Sequence, residues 1–254
     1  MLRDFSAEAF DIIIQAGQSN AQGTAFGDVE DPFVPDPRVL YLQDDFSITQ
    51  ARELPEGNAV RGNFALPFAA DYMAAGMLEP GRKLLILRTA VGGTGFMEGH
   101  WTPEGPLYRQ MLEMTSTALA LNPCNQLVAL LWHQGERDCW QESTYAQHYD
   151  HLKTLVDNVR TEFASPALPF VAGDLVQDWK QDHLSIATPV TEAIRAVCTD
   201  CGGAFVSSEG LPSNRESQVV HPFGDGDDRI HFSRPAIYEL GHRYFEAYQY
   251  LTRR

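Results

Sequence analysis

Apolar positions along the chain fall into short unbroken runs separated by longer amphipathic stretches. Residues 10–16 (FDIIIQA), 83–88 (KLLILR) and 127–132 (LVALLW) read as buried strands, with 168–172 (LPFVA) and 204–207 (AFVS) as shorter ones. Runs rich in leucine and β-branched residues, without apolar–polar alternation, suit a parallel sheet covered on both faces. Between them, helical periodicity places helices at about 64–78, 107–121, 143–163 and 184–201. A last helix starts near Ser233, an N-cap residue type, with Pro235 in the first turn where a missing N–H costs little. Repeated strand–helix units imply right-handed crossovers and a doubly wound, three-layer α/β/α sandwich. No repeat, low-complexity tract or linker interrupts the pattern, and the proline-rich stretch 31–37 (DPFVPDP) reads as an internal loop, so residues 1–254 are expected to form one domain.

Composition narrows the partners. Hydrophobic residues make up 44% of the 254 and charged residues 21%, enough to bury a proper core. The formal charge, 19 − 34 = −15, repels phosphate backbones and anionic lipid, so neither nucleic acid nor membrane is an expected partner. A neutral ligand such as an acylated sugar is compatible with that charge. The opening MLRDFSAEAF lacks the basic-then-apolar signature of a secretory leader, and no apolar run approaches the ~18 residues of a membrane span. A cytoplasmic enzyme is the resulting expectation. Of the four cysteines, Cys198 and Cys201 form C-x-x-C, but no second pair or zinc-spaced histidines complete a site, so reduced thiols and no metal are expected.

In open parallel sheets ligands collect beyond the carboxyl ends of the strands. After the first strand stands Gly17-Gln18-Ser19-Asn20, where a serine beside a glycine can project its hydroxyl from the sheet rim while its N–H faces the same spot. The pattern is not the G-x-S-x-G elbow, and a loop serine bonded to nearby backbone is the blander alternative. After 83–88 comes Val91-Gly92-Gly93-Thr94-Gly95, whose paired glycines can aim N–H groups at a ligand or simply make a turn. After 127–132 comes His133-Gln134-Gly135-Glu136-Arg137-Asp138, where the Gln134 amide offers a neutral donor. Near the C-terminus, Asp228 precedes His231 by three residues, close enough to fold back and hold the imidazole Nδ1–H, leaving Nε2 free to take a serine proton. Each cluster alone is modest. Together they supply a nucleophile, an oxyanion pocket and a base with its acid, and a serine needs such a base to attack anything.

G-Q-S-N, G-G-T, W-H-Q-G-E-x-D and D-x-x-H-F, in this order, resemble the sialate O-acetylesterase domain and the acetylxylan esterases of carbohydrate esterase family six, within the SGNH-hydrolase superfamily. The likeness runs from about Asp11 to Phe232. It implies a single-domain, mostly parallel, flavodoxin-like sheet and O-acetyl ester hydrolysis through an acyl-serine, without metal or organic cofactor. By that pattern Ser19 matches the nucleophile, His231 the base and Asp228 its orienting acid. Gly93 and Gln134 match the oxyanion donors beside the Ser19 N–H. Gly92 remains an alternative to Gly93, and Glu136 to Asp228, although the three-residue spacing favours Asp228. Arg137 stands where the family often has serine, which touches substrate contacts more than chemistry.

Weaker signals complete the picture. Trp101, Trp140 and Trp179 can stack on a sugar face or pack under loops, and Arg61 and Arg137 can meet a glycan or stay solvated. The acidic turn Asp225-Gly226-Asp227-Asp228 lacks full calcium-loop spacing, and His221 lies ten residues from His231, so neither makes a metal site. The expected substrate is an acetyl ester of a small sugar or oligosaccharide. A short-chain carboxylesterase or thioesterase of the same superfamily is the alternative. A noncatalytic glycan-binding module would show a broken triad, and a flavodoxin-like cofactor binder a phosphate-cradling loop after the first strand.

Overall fold

A computed structural model describes residues 5–57, 59–216 and 227–253. Its strands are β1 (Ala9–Gly17), β2 (Ala25–Asp28), β3 (Val39–Leu42), β4 (Ile48–Gln50) and β5 (Leu54–Glu56), then β6 (Ala59–Gly62), β7 (Arg82–Arg88), β8 (Gln126–His133), β9 (Phe170–Gly173) and β10 (Ala204–Val206). The helices are α1 (Ser19–Gln22), α2 (Ala65–Ala74), α3 (Pro106–Ala120) and α4 (Glu136–Trp140), followed by α5 (Tyr145–Glu162), α6 (Gln177–Asp182), α7 (Leu184–Asp200) and α8 (Arg234–Thr252). The five strands and five long helices expected from periodicity are all present.

The main sheet has the order β10-β9-β8-β1-β7-β3-β4, parallel throughout except for β4, which pairs antiparallel with β3. In β1 every residue from Phe10 to Gly17 is buried, so both pleat directions meet packed side chains and helices cover both faces. Core positions such as Ile12, Ile13, Ile14, Leu85, Ile86 and Leu130 are essentially inaccessible. Full burial of each such side chain stabilises by about 1.5–3 kcal/mol. Asp11 interrupts this apolar strand at its amino end. Its carboxylate accepts hydrogen bonds from Arg82 Nε (2.6 Å), Gln126 Nε2 (2.8 Å) and the Tyr72 hydroxyl (2.8 Å), which offsets the cost of burying the charge.

The strand order matters for the site. The chain lays β3 and β7 on one side of β1, then crosses to place β8, β9 and β10 on the other. The crossing from β7 to β8 is the topological switch, and it leaves the carboxyl ends of β7, β1 and β8 side by side.

Not foreseen was the antiparallel sheet β2-β6-β5. It is tied to α8 through buried Glu53, which accepts from Phe33 N–H (2.7 Å), Arg234 Nε (2.7 Å) and the Tyr238 hydroxyl. Ser233 sits at the N-cap of α8 as expected, with extended φ and ψ, yet its hydroxyl makes no capping bond, being buried without a partner. Its carbonyl instead accepts the Ile237 N–H, so Pro235 and the first turn hold the helix start. No helix among the described residues is long and apolar enough to cross a membrane.

Candidate active site

At the end of β1 the backbone turns at Gly17, whose φ of +131° is closed to ordinary side chains. A Cβ here would lie 2.1 Å from the His133 carbonyl oxygen, so only glycine lets β1 run this close to β8. The Gln18 N–H donates to that same carbonyl at 3.0 Å, while the Val91 N–H donates to the Gly17 carbonyl at 3.1 Å. Thus the segment just before Ser19 is pinned to both neighbours of β1, and Ser19 opens the single turn α1.

His231 reaches Ser19 from the far end of the chain. Its Nε2 lies 3.0 Å from Ser19 Oγ, and its Nδ1 lies 3.0 Å from both carboxylate oxygens of Asp228. The acid also accepts from the His231 N–H (3.3 Å) and from Asn214 Nδ2 (3.1 Å). Burial pushes the Asp228 carboxyl up, but the bonds from His231 and Asn214 outweigh it and hold the group below its ordinary range. The loop is held in turn by Asn20, whose Nδ2 donates to the Ile230 carbonyl (3.0 Å) and whose Oδ1 accepts the Phe232 N–H (3.2 Å).

Glu136, the rival acid, makes no hydrogen bond to His231. Its Oε1 accepts from Asn20 Nδ2 at 2.8 Å, and its Oε2 is buried without a partner. Burial pushes this carboxyl up, against the opposing pull of nearby N–H groups, Asn20 and His231. It braces Asn20, and Asn20 braces the histidine loop.

The glycine block separates its two candidates. Gly92 N–H is committed to Gln22 Oε1 at 3.0 Å, whereas Gly93, with φ of +71°, has an N–H with no acceptor among the described residues. Asp138 anchors the rest of the block, accepting the N–H groups of Phe96 (3.1 Å) and Met97 (2.9 Å). A Cβ on Gly95 would strike the same carboxylate at 2.5 Å.

Gln134 departs from expectation. It is fully buried and does not line the pocket around Ser19. Its Nε2 lies 2.9 Å from Asp138 Oδ2, 3.3 Å from the Thr94 carbonyl and 3.4 Å from Gln18 Oε1, three acceptors for two hydrogens. An amide so placed buttresses the glycine block from behind and has no donor to offer an oxyanion.

Ser19, Gly92, Gly93, Glu136, Arg137, Trp140 and His231 line a pocket of about 400 Å³, with Gln18, Gln22, Thr24 and Ile230. Trp140 stands at its rim, 49% exposed, edge-on to Trp179 and His183 with ring centroids at 5.6 and 4.7 Å. Trp101 is a second correction: fully buried, it donates to Thr94 Oγ1 at 3.0 Å and packs edge-on against Trp132, so it is core and not a sugar platform. Trp179 is likewise buried. Arg137 is held by both carboxylate oxygens of Glu98, with Nε at 2.8 Å from one of them. Arg61 pairs with Glu56 at 2.9 Å and lies outside the pocket lining.

A larger depression of about 740 Å³ beside α6, lined by Asp174, Lys180 and Arg195, contains no serine–histidine pair. Among the described residues no group of three or more His, Cys, Asp or Glu is gathered for a metal. His221, Asp225 and Gly226 lie outside the described residues. Sequence reading missed Asn20 and Asn214 as supports. Asn20, directly after the serine, carried a usable signal in its position, whereas Asn214 carried none because its contacts span 14 and 190 residues.

Residues 9–250 match the profile of the family described as carbohydrate esterase, sialic acid-specific acetylesterase. A probable 9-O-acetyl-N-acetylneuraminic acid deacetylase of Escherichia coli K12 is 28% identical over 123 residues, 39% of this chain and 37% of that protein. A probable carbohydrate esterase of Arabidopsis thaliana is 25% identical over 136 residues, 51% of this chain and 49% of that protein. The chain therefore matches less than half the length of each of these curated relatives. In three dimensions the crystal structure of NanS shares the fold with a TM-score of 0.80 at 19% identity, covering all of both chains. A Geobacillus acetyl-xylooligosaccharide esterase shares it with a TM-score of 0.52 at 10% identity, covering 96% of each.

Proposed function

Since the chain belongs to the carbohydrate esterase family of sialic acid-specific acetylesterases, we propose that it is a serine esterase removing O-acetyl groups from carbohydrates through an acyl-serine intermediate. The observation that carries this reading is the continuous line Ser19 Oγ, His231 Nε2, His231 Nδ1 and the Asp228 carboxylate, with 3.0 Å at both hydrogen-bonded ends of the ring. His231 takes the Ser19 proton as Oγ attacks the ester carbonyl, and Asp228 holds the ring and balances the imidazolium. The oxyanion meets the N–H of Ser19 and that of Gly93. Gly93 is favoured over Gly92 because Gln22 already occupies the Gly92 donor. His231 then protonates the leaving sugar hydroxyl, and water cleaves the acetyl-serine by the reverse steps. Asp228 is favoured over Glu136 as the orienting acid because only Asp228 bonds the ring.

The substrate side of the reading rests on Trp140 as a stacking face and on Arg137 at the rim. Acetylated xylo-oligosaccharides and O-acetyl sialic acids are the two glycan classes that fit it. The test is acetate release from one of each, comparing wild type with Ser19→Ala. Release from at least one glycan is expected, falling on the order of 10⁴–10⁶-fold in the variant. Release that survives the substitution would sink the serine mechanism. Cleavage of p-nitrophenyl acetate alone would keep the esterase and remove the sugar.

A further inference from the structure

We infer that the Glu98–Arg137 ion pair at the rim of the Ser19 pocket sets substrate choice, favouring acetyl esters of uncharged sugars over those of sugar acids. The inference rests on the esterase reading above and concerns the sugar side of the same site. Among the described residues that line the pocket, Arg137 is the one lysine or arginine. Its Nε donates to Glu98 Oε2 at 2.8 Å and its Nη2 donates to Oε1, a two-pronged pairing that fixes the guanidinium better than a single contact. The stem is held too, since a Cβ on Gly95 would lie 3.3 Å from Arg137 Cγ. Glu98 belongs to the loop after β7 that carries Gly92 and Gly93, and Arg137 to α4, so the pair ties two walls of the pocket together. The bond from Arg137 holds the Glu98 carboxyl below its ordinary range, so the acid stays ionised and the pair carries no net charge. Arg137 Nη1 has no acceptor among the described residues and remains a donor for a sugar hydroxyl.

The other cations nearby are engaged as well. Arg229, beside the pocket residue Ile230, donates to Asp182 Oδ2 at 2.8 Å and to Asp227 Oδ1 at 3.1 Å. Arg88 lines a separate recess, where it donates to Gln43 Oε1 at 3.2 Å and to the Gln22 carbonyl at 2.8 Å. Residues 217–226 contain no lysine or arginine. A carboxylate on the sugar therefore gives up hydration to meet a cation already paired with an acid, on a chain of formal charge −15. A hydroxyl loses far less on the same transfer, and the difference is a penalty directed at the charged substrate.

The experiment uses the whole chain with para-acetoxybenzamide and para-acetoxybenzoate, aryl acetates of nearly the same shape that differ by one negative charge. Their aryl groups depart from the place the sugar holds in the proposed reaction. The readout is the ratio of kcat/KM for the neutral ester to that for the anion, each scaled to the ester's own hydroxide-catalysed rate. That ratio cancels any general loss of activity or of folded protein. Wild type is expected to favour the neutral ester. Glu98→Gln frees the Arg137 charge and should shift the ratio toward the anion by about three- to tenfold. Arg137→Gln leaves Glu98 unpaired and should shift it the opposite way by a similar factor. The double variant should return to within about twofold of the wild-type ratio. At about 1 M salt, where the Debye length is about 3 Å, both single shifts should shrink. Opposite shifts from the two halves of one pair mark a charge effect, because a loosened clamp harms both esters alike. Single-variant shifts below about twofold, or in the same direction, overturn the proposal. So does a wild type that releases acetate faster from an O-acetyl sialic acid than from an acetylated xylo-oligosaccharide. Hydrolysis of neither aryl ester, or activity that survives Ser19→Ala, would instead refute the esterase reading and this inference with it.

Discussion

Trp140 is the one tryptophan of the four that meets the pocket with an exposed ring, and its setting explains why. Trp179 and His183 stack on each other at 4.8 Å and both meet its ring in T-shaped contacts, which fix it at the rim. A rigid aromatic face beside the proposed ester site suits the apolar face of a pyranose, and aromatic contacts contribute about 0.5–1.5 kcal/mol. Trp140→Ala is therefore expected to raise KM for an acetylated oligosaccharide by about three- to tenfold. The kcat/KM for p-nitrophenyl acetate, which has no sugar to stack, should stay within about twofold. Initial-rate kinetics on the two substrates check this, and equal losses on both would assign Trp140 to loop packing. Trp101 shows the limit of reading such residues from sequence. Its proximity to the glycine block is real, but the Thr94 hydroxyl draws its indole N–H inward.

Among elements, α1, α4 and the loop carrying His231 meet at Asn20. A single amide there donates to Glu136 and to the Ile230 carbonyl and accepts from Phe232 N–H, joining α1 to two segments more than 100 residues away from it. Removing it leaves Glu136 buried with no hydrogen-bonded side chain and frees the histidine loop at its centre. Asn20→Ala should lower kcat on the order of 10²-fold, the usual result of misplacing a base by about 1 Å. KM should change little. Steady-state kinetics give the answer, and a variant with wild-type kcat would show that Asn214 and the Ser213–Phe232 bridge hold the loop unaided. Asn20 follows Ser19 in sequence, so its position was legible, whereas its partners were not.

At the scale of the whole molecule, one source of acid sensitivity is His133, buried where β8 meets β1. Its Nδ1 lies 3.1 Å from the Tyr244 hydroxyl, its Nε2 has no partner, and burial lowers its pKa from 6.5 to about 3. The folded protein thus holds this imidazole neutral, while the unfolded chain takes up a proton below about 6.5. The stability it contributes is complete above pH 6.5 and is lost progressively as pH falls toward 3. At pH 5 this one group costs roughly 2 kcal/mol of folding stability. Urea midpoints at pH 7.5 and pH 5 measure the effect, and His133→Asn should flatten the difference. Identical pH slopes in the two proteins would move the acid sensitivity to other groups.

The apolar runs determined the layered α/β class, and the polar clusters singled out Ser19, Asp228 and His231, which the fold brings within hydrogen-bond reach of one another. Both are local signals: a buried parallel strand must be apolar on two faces, and reactive groups must stand where it ends. Three-residue spacing was enough to bring Asp228 onto His231 because a single turn spans it. The tertiary structure alone decided which strands became neighbours of β1, and that the Gln22 side chain takes the Gly92 N–H while that of Gly93 has no acceptor among the described residues. It also decided that Gln134 faces Asp138, that Trp101 turns into the core, and that the short strands β2, β5 and β6 form a second sheet. Those outcomes depend on competition among acceptors and packing partners distant in the chain, and no pattern within a stretch of sequence carries that information.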